Sequence, residues 1–296
     1  MGGRVMHAGV QMFPSADSIT PDDLAVSAER CGFESVFVPD HTHVPLGDGS
    51  AGYSGHDVPE YYRTTMDPIV AMTAAATATT NITIGTAVCL VAQRDPIILA
   101  KQIASIDQLS AGRVTLGVGA GWNNEEMRNH GTEPSTRFSL IRERVEAMSA
   151  IWQQNEASYQ GEHVNFAPMW SWPKPVQRPR PPVLVGGGGP TVLKRVVSYG
   201  DGWMPFREGT DQVGDPLSGQ VEEFEADLGW RVGELRRLAD AAGRPRPSVT
   251  LFNACPHTAA LDRYRSMGVD RVVFWLPTAA KDPTLETLHQ LRALLR

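Results

Sequence analysis

Short hydrophobic runs alternate with longer amphipathic stretches along the whole chain of 296 residues. Runs such as residues 35–38 and 82–88 are rich in Val, Ile and Phe, which is typical of parallel strands buried on both faces. Asp67-Pro68 and Asp95-Pro96 open two of the amphipathic stretches, and an acid before a first-turn proline indicates a helix start. The repeated alternation predicts an α/β fold with a parallel sheet.

The pattern predicts eight strands, each followed by a helix, in a chain close to the usual size of a (β/α)8 barrel. The predicted strands are residues 7–12, 35–38, 82–88, 113–119, 183–185, 202–204, 249–252 and 272–276. We therefore predict a single TIM barrel domain over residues 1–296 rather than two dinucleotide-binding halves. In such a barrel the functional residues lie at the carboxyl ends of the strands.

A proline-rich stretch at about residues 156–182 interrupts this alternation just before the fifth strand. We interpret it as an insertion, with a small hairpin about Gly161, that forms a lid over the mouth of the barrel. Its Trp170 and Trp172 are candidates for the wall of a flat or apolar substrate pocket, although such aromatic residues also pack their own loop.

Composition narrows the class of function. Cys31, Cys89 and Cys255 lie far apart without a C-x-x-C pair, which argues against a disulfide framework or zinc knuckle and favours the reducing cytoplasm. The 27 Lys and Arg against 33 Asp and Glu give a net charge of -6, so nucleic acid and anionic membranes are not expected partners. No apolar run approaches the roughly 20 residues of a membrane span, and no secretory signal is evident.

Asp40, His41 and His43 follow the second predicted strand. A histidine titrates near neutral pH, so His41 suits proton transfer, with Asp40 either binding a ligand or orienting the ring. In a purely structural interpretation Asp40 caps the loop and His41 is a satisfied polar residue. His41 and His43 as a metal pair would indicate a hydrolase, but the fifth, sixth and eighth strands end in Gly, Pro, Phe and Leu without further ligands, so we assign no metal site.

Two glycine-rich segments follow the fourth and fifth strands. Gly119 and Gly121 allow a backbone or a flat ligand to approach closely, but their G-x-G-x-G spacing is not a dinucleotide fingerprint. The four glycines Gly186, Gly187, Gly188 and Gly189 precede a proline at a helix start. Backbone N–H groups in such a turn favour a phosphate, and a flexible connector is the alternative. Candidate cations for an anionic tail are Arg178, Arg180, Lys194 and Arg195.

An ordered series of motifs resembles the bacterial luciferase-like oxidoreductases, most closely the actinobacterial branch that uses the deazaflavin coenzyme F420. The series covers nearly the whole chain and consists of Val38-Pro39-Asp40-His41, Asp67-Pro68, Ile84-Gly85-Thr86-Ala87-Val88, Gln108-Leu109-Ser110-Ala111-Gly112-Arg113, Gly117-Val118-Gly119-Ala120-Gly121-Trp122-Asn123, Pro173-Lys174-Pro175-Val176-Gln177, Val185-Gly186-Gly187-Gly188 and Gly200-Asp201-Gly202-Trp203.

The resemblance implies a luciferase-like barrel with the cofactor ring at the mouth and a non-prolyl cis peptide at Ala87-Val88 behind it. The implied cofactor contacts are Asp40, Thr86, Ala87, Val88, Gly119, Gly121 and Gly186 to Gly189, with Trp122, Trp170 and Trp172 on the substrate side. Asp40 and His41 would be the catalytic pair, with His41 moving the proton. Some family members have an acid after the fourth strand where this chain has Trp122-Asn123, so no acid is carried over.

The expected function is hydride transfer between F420 and a small organic substrate. An FMN-dependent two-component monooxygenase of the same fold is the alternative, and a metal-dependent hydrolase or a non-catalytic flavin-binding barrel is a weaker one. Family members are often dimers, so a homodimer is compatible with the resemblance.

Overall fold

The computed structural model describes residues 5–46, 58–209 and 219–295, with only the backbone at 219 and 220. The strands are β1 (His7–Gln11), β2 (Ser35–Val38), β3 (Thr83–Thr86), β4 (Cys89–Leu90), β5 (Val114–Gly119), β6 (Ala157–Gln160), β7 (Asn165–Met169), β8 (Val183–Gly186), β9 (Gly202–Met204), β10 (Ser248–Phe252) and β11 (Arg271–Trp275). The helices are α1 (Pro21–Arg30), α2 (Glu60–Thr64), α3 (Pro68–Ala78), α4 (Pro96–Leu109), α5 (Asn124–Asn129), α6 (Arg137–Gln153), α7 (Val192–Tyr199), α8 (Gly219–Ala241), α9 (Thr258–Met267) and α10 (Lys281–Ala293).

Eight parallel strands form a closed barrel. They pair in the order β3-β2-β1-β11-β10-β9-β8-β5, and a further pairing of β3 with β5 closes the sheet. The helices surround the barrel, which confirms the predicted (β/α)8 TIM fold. The two-residue strand β4 adds to β5 just beyond the end of β3. The carboxyl ends of the eight parallel strands therefore lie at one face of the barrel, which we call the mouth.

The helix starts follow the predicted capping chemistry. The Asp67 carboxylate accepts hydrogen bonds from the N–H groups of Ile69 and Val70, and Asp95 does the same for the first turn of α4. The polar loop expected from Asp40 to Met66 contains the short helix α2, while residues 47–57 of that loop lie outside the described part of the chain. No helix in the described ranges has the length and apolarity needed to span a bilayer.

The barrel interior is filled by a compact cluster of side chains. Phe37, Leu184, Met204, Phe252 and Val273 come from five different strands and pack on one another. Ala87 and Val88 pack against this cluster from the segment between β3 and β4. The barrel is thus a solid core, and Ala87 and Val88 form the floor of the mouth.

The insertion predicted as a lid packs against the outside of the barrel along α6 and, further on, contacts the amino end of the barrel; its role as a lid stays a prediction. The hairpin of β6 and β7 packs along α6, where Glu143 accepts hydrogen bonds from the N–H groups of the hairpin turn. The Lys174 ammonium then donates to two carbonyls at the C-terminal end of α6, and the Gln177 side chain donates to Asp107 and to the Val114 carbonyl. These groups lie where helices end and strands begin, since a helix-to-strand connection returns the chain to the amino end of the barrel.

Candidate active site

A buried histidine-glutamate pair lies at the mouth. His41, 8% exposed, follows β2, and its Nδ1 lies 2.9 Å from Oε2 of the fully buried Glu126. The other oxygen of Glu126 accepts a 3.1 Å hydrogen bond from the Thr42 N–H. Burial alone would raise the pKa of Glu126, but the hydrogen bond and charge of His41 and the Thr42 N–H outweigh it and lower the pKa. An ionised Glu126 requires the proton on Nδ1, which leaves Nε2 as the atom that exchanges a proton.

Glu126 occupies this position because a short helix begins beside it. The Asn123 side chain accepts 3.0 Å hydrogen bonds from the N–H groups of Glu125 and Glu126 and so caps α5. Glu126 thereby falls on the inner side of the first turn, within reach of His41. The sequence analysis missed this acid, although asparagine before a helix turn is an N-cap signal. The loop after the predicted fourth strand does supply an acid.

Asp40 does not orient His41 as we expected. Both Asp40 oxygens accept hydrogen bonds from Arg94, at 2.7 and 2.6 Å, and Oδ2 also accepts one of 2.9 Å from the Leu90 N–H. The Arg94 guanidinium also donates a hydrogen bond of 2.9 Å to Asp67 Oδ2. Asp40 is therefore an anchor that ties the end of β2 to the segment behind the mouth, and Glu126 orients the histidine.

The geometry offers no support for a metal at His41 and His43. His43 Nδ1 lies 2.8 Å from the Thr42 hydroxyl and Nε2 lies 2.9 Å from the Asn129 amide. Within the described ranges, the one group of three potential ligands is Glu143, Glu162 and His163 in the insertion. The Glu143 oxygens there already accept three backbone N–H groups.

The floor of the mouth is built around Val88. The Ala87-Val88 peptide is cis, as the resemblance implied. A Cβ on Gly119 would lie 2.3 Å, and one on Gly186 2.8 Å, from the Val88 methyl groups, so both glycines make room for this side chain. The buried Thr86 hydroxyl donates to the Gly117 carbonyl at 2.7 Å. Thr86 and Gly119 therefore support the floor, and their contact with a cofactor stays a prediction.

Gly121, in the loop that follows β5, shapes a turn. Gly121 has φ +76, and the Leu90 side chain lies 3.1 Å from where its Cβ would be. This left-handed backbone favours glycine and lets the chain leave β5 over the 3-10 turn at residues 91–93. Its contact with a cofactor stays a prediction.

The glycine turn after β8 is open. Gly187 has φ +115, and no atom lies within 4 Å of a Cβ built on Gly187, Gly188 or Gly189. The turn carbonyls are held by the protein, since Trp203 Nε1 donates to Gly187 at 2.9 Å and Arg231 donates to Gly188 at 2.6 Å. For the Gly188 and Gly189 N–H groups, no acceptor lies in the part of the chain that the structure describes. Such a turn ahead of a helix suits an anion.

A basic groove of about 350 Å³ lies beside the glycine turn, between α6 and α7. The Arg195 guanidinium stands 4.1 Å above the Phe138 ring and donates to the Thr191 hydroxyl at 2.8 Å. Lys194 and Arg142 also line the groove. Of the other predicted cations, Arg180 instead forms an ion pair with Asp201, next to the start of β8. Lys194 and Arg195 remain the candidates for an anionic tail.

Aromatic rings from several segments line the mouth, and we call them the aromatic wall. Tyr62 lies 5.0 Å from His41 and 5.6 Å from Trp122, measured between ring centroids. The members of the wall are Phe13, Tyr61, Tyr62, Trp122, Phe206 and Trp275, whose neighbouring rings lie 4.8 to 6.3 Å apart. Trp122 thus lies beside His41, and its contact with a substrate stays a prediction.

Trp170 and Trp172 do not belong to this wall. They are 77% and 57% exposed in the insertion, and the Trp172 carbonyl accepts a hydrogen bond from Lys101 of α4. The substrate contact of Trp170 and Trp172 therefore stays a prediction. The wall residues that the sequence did not reveal are Phe13, Tyr61, Tyr62, Phe206 and Trp275.

Two proteins of other organisms are similar in sequence to most of this chain. An uncharacterised protein of Mycobacterium tuberculosis is 39% identical over 295 residues, 98% of this chain and 99% of that protein. An F420-dependent glucose-6-phosphate dehydrogenase of Kineococcus radiotolerans is 30% identical over 237 residues, 76% of this chain and 65% of its own length.

Among solved structures, an F420-dependent secondary alcohol dehydrogenase in complex with an F420-acetone adduct superimposes with a TM-score of 0.72. It is 18% identical and covers 98% of this chain and all of the other, a likeness that shows the shared fold. The family model described as luciferase-like monooxygenase matches residues 20–262. The chain therefore belongs to the luciferase-like monooxygenase family.

Proposed function

We propose that this protein is an F420-dependent oxidoreductase that transfers a hydride between the deazaflavin and a small organic substrate. The observation that carries the proposal is the buried His41–Glu126 pair at the mouth, beside the Ala87-Val88 floor. The Kineococcus relative and the alcohol dehydrogenase of the same fold are both named for F420, which supports F420 as the proposed cofactor.

The residues present fit a flat cofactor that carries a phosphate. The floor at Ala87 and Val88 offers an apolar surface, and the open turn at Gly188 and Gly189 offers N–H donors for a phosphate. Lys194 and Arg195 would counter the charge of an acidic tail. When bound, F420 supplies the hydride-accepting or hydride-donating carbon of its ring.

The protein's own part in the chemistry is orientation and proton transfer. A substrate alcohol that loses a hydride also loses a proton, and His41 Nε2 accepts it; in the reverse direction Nε2 returns it to a carbonyl oxygen. Glu126 is ionised beside Nδ1, so it stabilises the imidazolium that forms. The aromatic wall and the half-buried floor hold the reactants in register and exclude water.

Cofactor titration of the purified protein tests the first half of the proposal. F420 should bind more tightly than FMN, and a clear preference for FMN would favour the alternative, a two-component monooxygenase on the same barrel. Gly188→Asp places a negative charge in the open turn and should weaken F420 binding. Gly233→Asp is the matched control, because Gly233 is exposed on α8 and, like Gly188, has open space at its Cβ and no left-handed backbone.

Replacement of His41 tests the second half. His41→Asn should lower kcat by about 10² to 10⁴, the usual contribution of a general acid or base, while F420 affinity changes little. His163→Asn is the control, because His163 lies in the insertion and contacts Ser139. Retention of kcat within a few-fold in His41→Asn would remove His41 from the proton-transfer role.

A further inference from the structure

We infer that the substrate is an uncharged organic molecule with a flat or cyclic apolar face, bound against the aromatic wall, and that phosphate esters are rejected at the mouth. This inference rests on the proposed function for its reaction but on separate residues for its recognition. Two independent features carry it: the rings around His41 and the distribution of charge around the mouth.

The wall surrounds the proton-exchanging atom. His41 itself lies edge-on to Tyr62 at 5.0 Å and 5.7 Å from Trp122, so a substrate within reach of Nε2 has these rings as neighbours. Phe13 continues the wall to Trp275 at 5.2 Å. Rings in this arrangement bind planar and apolar surfaces by area burial and edge-to-face contact.

Charge is distributed against an anionic substrate. In the described part of the chain, the segments that follow the barrel strands are residues 12–20, 39–46, 58–67, 87–95, 120–136, 187–191, 205–209, 253–257 and 276–280. These described residues include nine Asp and Glu, four Arg and no Lys. The described segments around the mouth thus carry an excess of negative charge.

The arginines of these segments are largely engaged. Arg94 is bound by Asp40 and Asp67, and the half-exposed Arg63 pairs with Glu60 at 3.7 Å. Buried Arg207 donates to the carbonyls of Asn253 and Glu208.

The remaining arginine of these segments points away from His41. Arg128 lies two residues beyond the inward-facing Glu126 on α5 and is exposed, so it occupies another side of that helix. Among the described residues, a phosphate dianion at the mouth would therefore face more carboxylates than cations. The basic groove cannot serve it, because that groove lies outside the barrel between α6 and α7.

The net charge of -6 and an anionic cofactor are reconciled by this separation. Basic side chains beside the glycine turn serve the cofactor, and the acidic, ring-lined mouth serves an uncharged substrate. The Kineococcus relative is named for glucose 6-phosphate. By this reasoning the present chain accepts a different class of substrate.

A matched pair of probes tests the inference without any cofactor. 1-Naphthol and 1-naphthyl phosphate share one ring system and differ by the phosphate, and calorimetry gives the affinity of each for the full chain. We expect 1-naphthol to bind and Trp275→Leu to weaken it about tenfold, because a large ring contact is lost. Trp170→Leu, at the exposed tryptophan of the insertion, should leave the affinity unchanged.

A second variant guards against a folding defect. Phe206→Leu removes a ring of the wall that is 49% exposed, so the core is little affected, and it should also weaken 1-naphthol. If 1-naphthyl phosphate is displaced by inorganic phosphate and keeps its affinity in Trp275→Leu, it is bound at the glycine turn and not at the wall, which supports the inference.

Two results would overturn the inference. One is naphthyl phosphate that binds as tightly as 1-naphthol and loses affinity in Trp275→Leu. The other is 1-naphthol affinity unchanged in both wall variants. Failure of F420 to bind would refute the proposed function but leave these binding results intact, so the two failures are distinguishable.

Discussion

Glu126→Gln isolates the charge that we assign to the histidine pair. The substitution keeps the size of the side chain, and an amide oxygen can still accept the Thr42 N–H. What it removes is the negative charge 2.9 Å from His41 Nδ1 in a position with no solvent exposure. The variant should therefore fold and bind cofactor like the native protein while transferring the proton poorly.

The size of the effect follows from the kind of hydrogen bond. A hydrogen bond to a charged group contributes about 1.5 to 3 kcal/mol, against about 1 kcal/mol for a neutral one. If that contribution stabilises the imidazolium only as the proton moves, kcat falls by about 10- to 150-fold, since about 1.36 kcal/mol corresponds to tenfold in rate. The pH–rate profile should also change, because the Glu126 carboxylate, whose pKa the site lowers, is absent from the variant.

The assay is steady-state turnover with F420 over a range of pH, together with a cofactor titration. Glu143→Gln is the matched control, because Glu143 is another buried glutamate with a lowered pKa but lies in α6 against the insertion. Turnover of Glu126→Gln within threefold of the native value, with an unmoved pH profile, would refute the assigned role. So would an equal loss of turnover in Glu143→Gln.

Three stability predictions follow from buried contacts, each measured by urea unfolding. Gly119→Ala should cost about 1 to 3 kcal/mol by overpacking against Val88, and adding Val88→Ala should restore part of it; a double variant no more stable than the single one would contradict the contact. Arg94→Met should cost about 3 to 5 kcal/mol by leaving Asp40 buried without its partner, and Asp40→Asn added to it should recover stability if the unpaired charge is the cause. Burial acts to raise the pKa of Glu143, but three backbone N–H groups hold that pKa below its usual range. The carboxylate therefore stabilises the fold at neutral pH and loses this effect as the pH falls through the folded pKa. The stability gap between native protein and Glu143→Gln should accordingly shrink on acidification, and a gap that persists to pH values well below that pKa would count against the capping role.

The barrel was predictable because its strands are short and buried on both faces. Runs such as Ser35–Val38 have every residue buried, so their hydrophobic pattern is continuous and easily read. The Asp-Pro helix starts are equally local signals. The third strand was predicted to reach residue 88 but ends at Thr86, because the chain leaves the sheet at the cis peptide that follows.

The candidate site was only half predictable. His41 could be placed from its position after a strand, but its partner Glu126 lies 85 residues away, and no spacing rule connects the two. Asp40 is adjacent to His41 in sequence and was one candidate for orienting its ring. In the fold, however, Asp40 forms an ion pair with Arg94. Adjacent residues on an extended chain point in opposite directions, which explains why the neighbour was the wrong choice.

The insertion joins a helix to the following strand, and in a (β/α)8 barrel such a connection returns the chain to the amino end of the strands. Its hydrogen bonds to the Ile151, Gln154 and Val114 carbonyls agree with that path, which no local sequence pattern indicates. The lid and the substrate contacts of its tryptophans stay predictions. The rings that do line the mouth, such as Phe13 and Trp275, come from the ends of β1 and β11 and have no common motif.

The glycines at 119 and 186 have a consequence for how this sequence can diverge. Each leaves space for one side of Val88, so the three positions form an interlocking unit across β5, β8 and the segment after β3. A larger residue at either glycine is tolerated only in a background where position 88 has already become smaller. Evolution at these sites is therefore epistatic, and a laboratory library that varies them singly would miss combinations that a coordinated library would recover.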